Sequence, residues 1–147
     1  MVYMLLGTGF EETEAIAPLD LLRRAGVEVL TVGINGKTVY GSHKIGVEAD
    51  IEIGEMDLTD LDMIILPGGL GGVASIRASR EAMEAVRFAY ENGMGSAIML
   101  DNKAAVIDGR VITGTSAGCA VPFGLALIEV LKGKGEAERI AKQIVIR

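Results

Sequence analysis

The sequence predicts an α/β fold in which a mostly parallel sheet is covered by helices on both faces, and three observations lead to this prediction. Short apolar runs alternate with longer amphipathic segments along the chain, which is typical of repeated strand and helix units. The run MIIL at residues 63–66 is continuously apolar, as in strands that are buried on both faces. The length of 147 residues suits one domain, so we expect a single domain over residues 1–147.

The first half of the chain predicts a strand, a helix and a second strand, followed by a hairpin excursion and a further strand. The bounds of the first three are residues 2–7, 10–25 and 27–33, and Gly26 closes the helix. Alternation with Gly, Asn and Ser in NGKTVYGSHKIGVEADIEI predicts the hairpin. The apolar strand in LDMIILPGG stops at Pro67, and we expect it at the centre of the sheet.

The second half of the chain predicts one helix, a β-hairpin and two further helices. Residues 79–92 have a helical pattern with Ser79 as the N-cap. The segment KAAVIDGRVITG places Asp108-Gly109 between two strands, which is typical of a type I′ turn. Helices at residues 119–132 and 135–144 follow, and the glycines of GKG separate them.

Composition and charge exclude several classes of partner. The net charge of -6 and the pI near 4.8 oppose binding to phosphates, and the Lys and Arg residues are scattered rather than gathered in a stripe. The opening VYMLL is too short to span a membrane and has no basic segment before it. With one Cys no internal disulfide forms, which suits a reducing compartment. We therefore expect a cytoplasmic protein that binds neither nucleic acid nor membrane.

Three loops follow strands at one expected edge of the sheet, where ligands usually bind in open parallel sheets. The first loop, GTGFEETEAIAP, places Glu11, Glu12 and Glu14 in the opening turns of a helix, where the helix dipole favours carboxylates. Pro18 removes the hydrogen bond to the carbonyl of Glu14, so we expect a local distortion there. Glu14 is either a carboxylate aimed into a site or a dipole-compensating residue beside a kink.

The second loop is LPGGLGG, residues 66–72. Its proline and four glycines permit a sharp turn whose N–H groups can face an anion or an oxyanion. An ordinary tight turn explains the same glycines. The spacing fits neither the dinucleotide-binding pattern nor the phosphate-binding loop, and we expect no cofactor and no metal.

The third loop, GTSAGCAVPFG at residues 114–124, offers candidate nucleophiles. Its first five residues match the G-x-S-x-G pattern between a strand and a helix, which makes Ser116 a candidate nucleophile and Gly118 a candidate binding residue. Cys119 is a second candidate, because a helix N-terminus favours a thiolate. Ordinary helix capping explains the same residue types. His43 is the one histidine available as a base, although a hairpin histidine is more often a surface residue.

Five segments carry a resemblance to a known family. They are GFEETEAIAPLDLLRRAGVEVLTVG, GKTVYGSHKIGVEADI, LDMIILPGGLGGV, DGRVITG and FGLALIEVLKGK. Together they resemble the DJ-1/PfpI superfamily, in the bacterial branch often labelled ThiJ, over nearly the whole chain. The resemblance implies a flavodoxin-like three-layer α/β sandwich, usually dimeric, with glyoxalase, deglycase, hydrolase or chaperone roles. It also implies a cysteine on a strand-to-helix elbow beside a helix glutamate, matched here by Glu14, and glycine amides, matched by Gly68 and Gly69.

The chain departs from this family at the elbow itself. In the family ENG is followed by a strand ending in Cys-Ala-Gly-Pro or Cys-Ala-Ala-Pro, whereas here MGSAIMLDNK follows. Met99 or Leu100 takes the place of the nucleophile, and the elbow helix is missing. A parallel connection needs about a dozen residues, which residues 98–104 do not supply, so we expect a changed topology.

The third loop also departs, with Thr-Ser-Ala-Gly-Cys where the family has Arg or Gln followed by Gly-Pro-Gly-Thr. Three explanations are open: a degenerate family member, an engineered or truncated form, and the loss of an internal segment.

Two functions follow from these features. In the first, Ser116 or Cys119 attacks a small ester or carbonyl compound in a hydrolase-type reaction. The residues assigned to assist are Gly68 and Gly69 for the oxyanion and Glu14 or His43 for proton transfer. In the second, the chain is a non-catalytic binding or dimerisation module whose surface is built from the first helix and the hairpin. We expect a homo-oligomer, because loss of the elbow helix should leave the runs MIIL and AIML thinly covered.

Overall fold

The computed structural model describes residues 1–93, 95–99, 105–108, 111–114 and 116–146. The described strands are β1 (Val2–Leu6), β2 (Val29–Gly33), β3 (Thr38–Tyr40), β4 (Gly46–Glu48), β5 (Ile51–Glu52), β6 (Met63–Leu66), β7 (Gly95–Met99), β8 (Ala105–Asp108) and β9 (Val111–Gly114). The α-helices are α1 (Glu12–Arg24), α2 (Leu70–Ala78), α3 (Arg80–Glu91), α4 (Ala120–Lys132) and α5 (Lys134–Gln143). Short 3₁₀ helices cover Ile53–Glu55 and Ala117–Cys119. Of the described helices, none is long and apolar enough to cross a membrane.

One seven-stranded sheet has the order β5-β2-β1-β6-β7-β9-β8, and β3 and β4 form a separate antiparallel pair. Neighbouring strands in the large sheet are parallel, except that β8 is antiparallel to β9. The strand with the continuous apolar run, β6, is the middle one, which suits a strand buried on both faces. The mostly parallel sheet and the central place of β6 are therefore confirmed.

The core is divided between the two faces of the sheet, because successive side chains of a strand point in opposite directions. Met4 and Leu6 of β1 pack in the cluster that contains the buried residues of α1, α4 and α5. Tyr3 and Leu5 pack in the cluster that contains those of α2 and α3. Helices thus cover both faces, and the predicted three-layer arrangement is confirmed.

The central strand β6 is fully covered, so the predicted thin cover over MIIL is wrong. Met63, Ile64 and Ile65 are at most 2% exposed. Ile65 lies in the same cluster as Phe123 of α4, and Ile64 lies with Ala85 of α3. Helices α4 and α3 therefore cover this strand, although the loss of the elbow helix was expected to leave it thinly covered. The side chains of the run AIML lie outside the described residues.

The connection from β7 to β8 does not need a long crossover, and this corrects the predicted change of topology. Because β9 is parallel to β7 and β8 is antiparallel to β9, β8 begins at the edge of the sheet where β7 ends. Met99 and Ala105 both pair with Gly114 of β9, so the two strand ends are about 10 Å apart at the usual spacing of strands. An extended chain of about five residues reaches this far.

Helix α2 is absent from the sequence prediction, which treats residues 66–72 as a loop. Gly71 and Gly72 lie in its first turn, and glycine costs about 1 kcal/mol relative to alanine inside a helix. A Cβ at Gly72 would lie 2.8 Å from the Cα of Phe10, and one at Gly71 would lie 3.0 Å from the Cα of Gly9. The glycines let α2 begin directly against the loop after β1, a tertiary contact that local propensity does not reveal.

The other predicted elements are present with bounds that shift by a few residues. Ser79 caps α3 as predicted, and its Oγ accepts a hydrogen bond of 3.1 Å from the Ala82 N–H. Helix α1 is assigned as one helix from Glu12 to Arg24 although Pro18 lies inside it. The predicted strands on either side of the turn are present as β8 and β9. The predicted place of Asp108 in the turn is wrong, because Asp108 ends β8 and pairs with Val111, and Gly109 lies outside the described residues.

Candidate functional site

The carboxyl ends of the parallel strands bring the three candidate loops to one edge of the sheet. The loop before α1 follows β1, the glycine turn follows β6, and the loop with Ser116 follows β9. Strands β1 and β6 are neighbours, whereas β7 lies between β6 and β9. The first two loops are therefore adjacent, and the third is separated from them by the end of β7.

Glu14 and the glycine turn form the best-defined polar contact at this edge. The Glu14 side chain is buried, at 7% exposure, and its Oε2 accepts a hydrogen bond of 2.8 Å from the Gly68 N–H. The Gly68 carbonyl in turn accepts a hydrogen bond of 2.9 Å from the Glu11 N–H. Glu11 also caps α1, because its carboxylate accepts the Glu14 N–H at 2.7 Å. The two loops are thus fixed to each other around one carboxyl group.

The pKa of Glu14 lies above its ordinary value of 4.5. Burial is the main cause, since it disfavours the charged form, and the negative charge of Glu11 acts in the same direction. The hydrogen bond from Gly68 opposes these effects without overcoming them. A raised pKa makes the carboxyl available both as a proton donor and as a proton acceptor nearer to neutral pH.

The glycine turn requires glycine for two separate reasons. Gly69 has a φ of 97°, a conformation that side chains rarely adopt. A Cβ at Gly68 would overlap the Glu14 carboxylate. The Gly68 N–H is already donated to Glu14, whereas the Gly69 N–H has no acceptor among the described residues. Of the two amides expected to face an oxyanion, that of Gly69 is the free one.

An open groove of about 810 Å³ lies beside this contact. Glu14, Gly68 and Gly69 form its polar wall. Leu70, Val73 and Arg77 of α2 line the rest of it, together with Ala74 and Ala78. Because α2 is absent from the sequence prediction, the part that this helix contributes to the groove is missed as well.

His43 bonds to Glu12 in the structure. The backbone N–H of His43 donates to Oε1 of Glu12 at 2.7 Å, and the Nδ1 of its ring lies 2.8 Å from Oε2. The same Oε2 accepts a hydrogen bond of 3.2 Å from the Ser42 hydroxyl. No hydrogen bond joins His43 to Ser116 among the described residues. The predicted role of His43 as a base for Ser116 therefore has no geometric support.

Glu12 and His43 shift each other's pKa in opposite directions. Burial alone would raise the pKa of Glu12, but the hydrogen bonds from His43, from the backbone and from Ser42 lower it to about 2. The hydrogen bond and the charge of Glu12 raise the pKa of His43 above 6.5. Glu11, Glu12 and His43 have ligand atoms within 4.8 Å of one another, the cluster in the described part of the chain that is best placed to hold a metal. Both carboxylates already accept hydrogen bonds there, and the expected absence of a metal stays a prediction.

Ser116 and Cys119 lie in a loop and 3₁₀ helix that lead from β9 into α4. Ser116 is exposed, and its hydroxyl makes no hydrogen bond to a described residue. Cys119 is a free, partly buried thiol at the N-cap of α4. Gly118 is exposed next to them, while Thr115 lies outside the described residues. The strand-turn-helix context is present, but the described residues place no base beside either nucleophile.

The end of β7 occupies the space between these two groups of residues. β7 ends at Met99, which pairs with Gly114 of β9, while Ile98 pairs with Leu66 of β6. β7 therefore ends between the glycine turn and the loop that contains Ser116. Its last residue is Met99, and Leu100 follows in the sequence.

Comparison with known proteins supports the departure at β7. The model of the DJ-1/PfpI family matches residues 1–98, so the match ends one residue before Met99. The protein dj-1beta of Drosophila melanogaster is 29% identical over 178 aligned positions, which cover 97% of this chain and 95% of that protein. The alignment is longer than this chain of 147 residues, so some residues of the relative have no counterpart here.

Other relatives and a solved structure also have DJ-1 or deglycase names. A deglycase of Thermococcus kodakarensis is 27% identical over 77% of this chain and 68% of that protein. The DJ-1 homolog B of Arabidopsis thaliana is 24% identical, and the match covers 40% of that protein, so this chain spans less than half of it. The crystal structure of Drosophila melanogaster DJ-1beta has a TM-score of 0.93 at 27% identity, covering 99% of this chain and 97% of the other. This chain belongs to the DJ-1/PfpI family.

Proposed function

We propose that this protein binds a small carbonyl compound in the groove beside Glu14 and acts on it by proton transfer rather than by covalent attack. The observation that carries the proposal is the Glu14 carboxyl group, which is buried against the Gly68 N–H at the wall of the groove. A buried carboxyl with a raised pKa in a concave site is a candidate general acid or base.

Two groups at the wall of the groove suit a carbonyl compound. The protonated Glu14 carboxyl can donate to the carbonyl oxygen, and the Gly69 N–H is available to the same oxygen as negative charge develops there. The ionised carboxyl can then remove a proton from the carbon next to the carbonyl. Positioned acid-base groups accelerate such transfers by roughly 100-fold to 10,000-fold.

The described lining of the groove argues against covalent attack within it. None of the described lining residues carries a hydroxyl or a thiol, and these are common nucleophiles for a carbonyl or ester. The relative that is named a deglycase supports an enzymatic role in the family, but its chemistry need not be shared by a chain that lacks the elbow.

Exchange of carbon-bound protons tests the proposal. Hydroxyacetone in deuterated buffer is followed by proton NMR, and we expect the protein to accelerate exchange next to the carbonyl. Glu14→Gln should lower this acceleration at least about tenfold, whereas Glu11→Gln and Glu12→Gln should retain most of it. Absence of acceleration by the wild type, or an equal loss in the three variants, would contradict the proposal.

Covalent attack by Ser116 or Cys119 is a second candidate function. Its support is the free, partly buried Cys119 thiol at the N-cap of α4. The substrate would be a small ester or carbonyl compound. The third candidate is a non-catalytic dimerisation module. It is favoured by exposed apolar residues on α1 and on the hairpin that contains β3 and β4.

A further inference from the structure

Arg77 provides the one positive charge among the described residues that line the groove. Its side chain makes no hydrogen bond or ion pair with any residue in the described part of the chain. Arg80, one turn further along at the start of α3, differs in this respect, because its Nε donates to Glu84 at 2.8 Å. In a protein with a net charge of -6, an unpaired guanidinium in a concave site favours an anionic ligand.

A second, smaller cavity of about 240 Å³ adjoins the groove. Gly68, Val73 and Arg77 line both spaces. The remaining walls of the smaller cavity are apolar and are formed by Leu66, Pro67, Ile76, Met83 and Val86. The cavity therefore offers an apolar side chain a place next to the guanidinium and the glycine turn.

Three kinds of chemistry meet where the two spaces join. The Glu14 carboxyl, held by the Gly68 amide at 2.8 Å, lines the groove together with Arg77, and Gly68 and Arg77 also line the apolar cavity. We propose that the ligand is a 2-oxo acid with a short apolar side chain, with its carboxylate on Arg77, its carbonyl oxygen at Glu14 and its side chain in the smaller cavity. The carboxylate and carbonyl of a 2-oxo acid are on adjacent carbons, which suits a groove whose lining includes both Arg77 and Glu14. This inference rests on the proposed function.

The arrangement makes Arg77 a specificity-determining residue. Guanidinium groups bind carboxylates through charge-assisted hydrogen bonds, so the acid should bind more tightly than a neutral ketone of the same shape. Because Arg77 is exposed, screening by salt should reduce the difference. We expect about a tenfold preference at low ionic strength.

Calorimetric titration with matched compounds tests the inference. The probes are 4-methyl-2-oxopentanoate, the neutral ketone 4-methyl-2-pentanone and 4-methylpentanoate, which lacks the carbonyl. We expect the oxo acid to bind at least about tenfold more tightly than either of the others. Arg77→Gln should abolish its advantage over the ketone, while the matched control Arg80→Gln should leave the advantage unchanged. Circular dichroism establishes that each variant is folded.

A further variant tests the place of the side chain. Val86→Phe should fill the smaller cavity and weaken the binding of 4-methyl-2-oxopentanoate severalfold, with little effect on pyruvate, which has only a methyl group to place there.

The outcomes separate this inference from the proposed function. If the ketone and the oxo acid bind equally and Arg77→Gln changes neither, the inference is wrong while the proposed carbonyl site stands. If 4-methylpentanoate binds as well as the oxo acid, Arg77 is a simple anion site and the inference is equally wrong. If no probe binds to the wild type, both are overturned.

Discussion

Glu12 and Glu14 lie two residues apart in α1, are both buried, and yet have opposite pKa shifts. The difference lies in the number of donors. Glu12 accepts hydrogen bonds from the backbone and ring of His43 and from Ser42, and these outweigh the effect of burial. Glu14 accepts one hydrogen bond, from Gly68, which does not outweigh the effect of burial on its pKa. The first turns of one helix thus hold a carboxylate that stays ionised and a carboxyl that is easier to protonate.

The pair of Glu12 and His43 gives a prediction that one titration can test. Because the chain has a single histidine, its ring protons are an unambiguous NMR probe. Glu12→Gln should return the raised pKa of His43 toward 6.5. Glu11→Gln should lower it less, since Glu11 is only a minor cause of the shift. An unchanged pKa in Glu12→Gln would show that the pair does not form in solution.

The same pair fixes how the stability of the hairpin that contains β3 and β4 depends on pH. Since the pKa of Glu12 is lowered to about 2 from 4.5, its contribution is present above 4.5 and is lost as pH falls toward 2. Since the pKa of His43 is raised, its contribution is complete below 6.5 and is lost as pH rises through the raised value. Protection of hairpin amides from hydrogen exchange, corrected for the intrinsic rate, should therefore be greatest between these two limits.

Covalent labelling distinguishes the two candidate nucleophiles. If the hydrolase-type function holds, a fluorophosphonate or a p-nitrophenyl ester should label Ser116, and Ser116→Ala should abolish the label. Label that survives Ser116→Ala but is lost in Cys119→Ala would move the role to Cys119. Intact mass spectrometry reads out each case. An unlabelled wild type would leave proton transfer and binding as the remaining functions.

Residue-level predictions from the sequence succeed where both the pattern and the family resemblance single out the same residues. Pattern and resemblance single out Glu14, Gly68 and Gly69, and the structure brings these three together. Arg77 could not be found in this way, because its importance depends on a groove formed by a helix with two glycines in its first turn. His43 misleads for a similar reason, since the sequence cannot show that a buried Glu12 reaches it across the fold.

Among the elements, α1 and α4 pack closely against each other. Gly124 of α4 faces α1, where a Cβ would lie 2.7 Å from the Cδ1 of Leu21 and 3.1 Å from the Cα of Pro18. Pro18 is therefore a packing residue of this interface. Proline destabilises an isolated helix. Pro18 is tolerated inside α1 because packing against neighbouring elements stabilises this helix.

Gly124→Ala should disturb this contact. Overpacking costs about 1–3 kcal/mol, so we expect the free energy of unfolding of this variant to fall below that of a matched control by about this amount. The control is Gly135→Ala in α5, where a Cβ meets nothing within 4 Å and where alanine should stabilise the helix by about 0.5–1 kcal/mol. Urea unfolding measures both. Equal stability of the two variants would show that α1 and α4 are less closely packed.

The layers and the central place of β6 were predicted from the sequence because strongly apolar runs and regular spacing determine them. Strand β6 needed only its apolar run for its place to be predicted. Helix α2 and the connection after β7 were not predicted correctly, because each depends on a contact that the local pattern does not show. For α2 this contact is with the loop at Gly9 and Phe10, and for the connection it is the antiparallel pairing of β8 with β9.

The surface of the molecule presents several large exposed apolar residues, some of them on α1 and on the hairpin that contains β3 and β4. Ile16 of α1, Tyr40 of β3 and Ile45 beside β4 are 40%, 56% and 58% exposed. Ile16 lies one helical turn after Glu12, which holds the hairpin through His43. These residues support the predicted homo-oligomer with a contact built from the first helix and the hairpin.

We expect the wild type to sediment as a dimer. Ile45→Lys should shift the protein toward a monomer, because a buried lysine at an apolar contact lacks a partner. Val130→Lys on α4 is the matched control, since Val130 is 45% exposed but lies on another helix. A monomeric wild type would contradict the prediction. Dissociation by Lys at Met99 or Leu100, but not by Ile45→Lys, would move the contact to the end of β7.

The direction of β8 has a consequence for the engineering of this fold. Because β8 starts at the edge where β7 stops, chain added between these two strands would leave the order of the strands unchanged. The junction is therefore a suitable place to graft a foreign catalytic segment onto this scaffold.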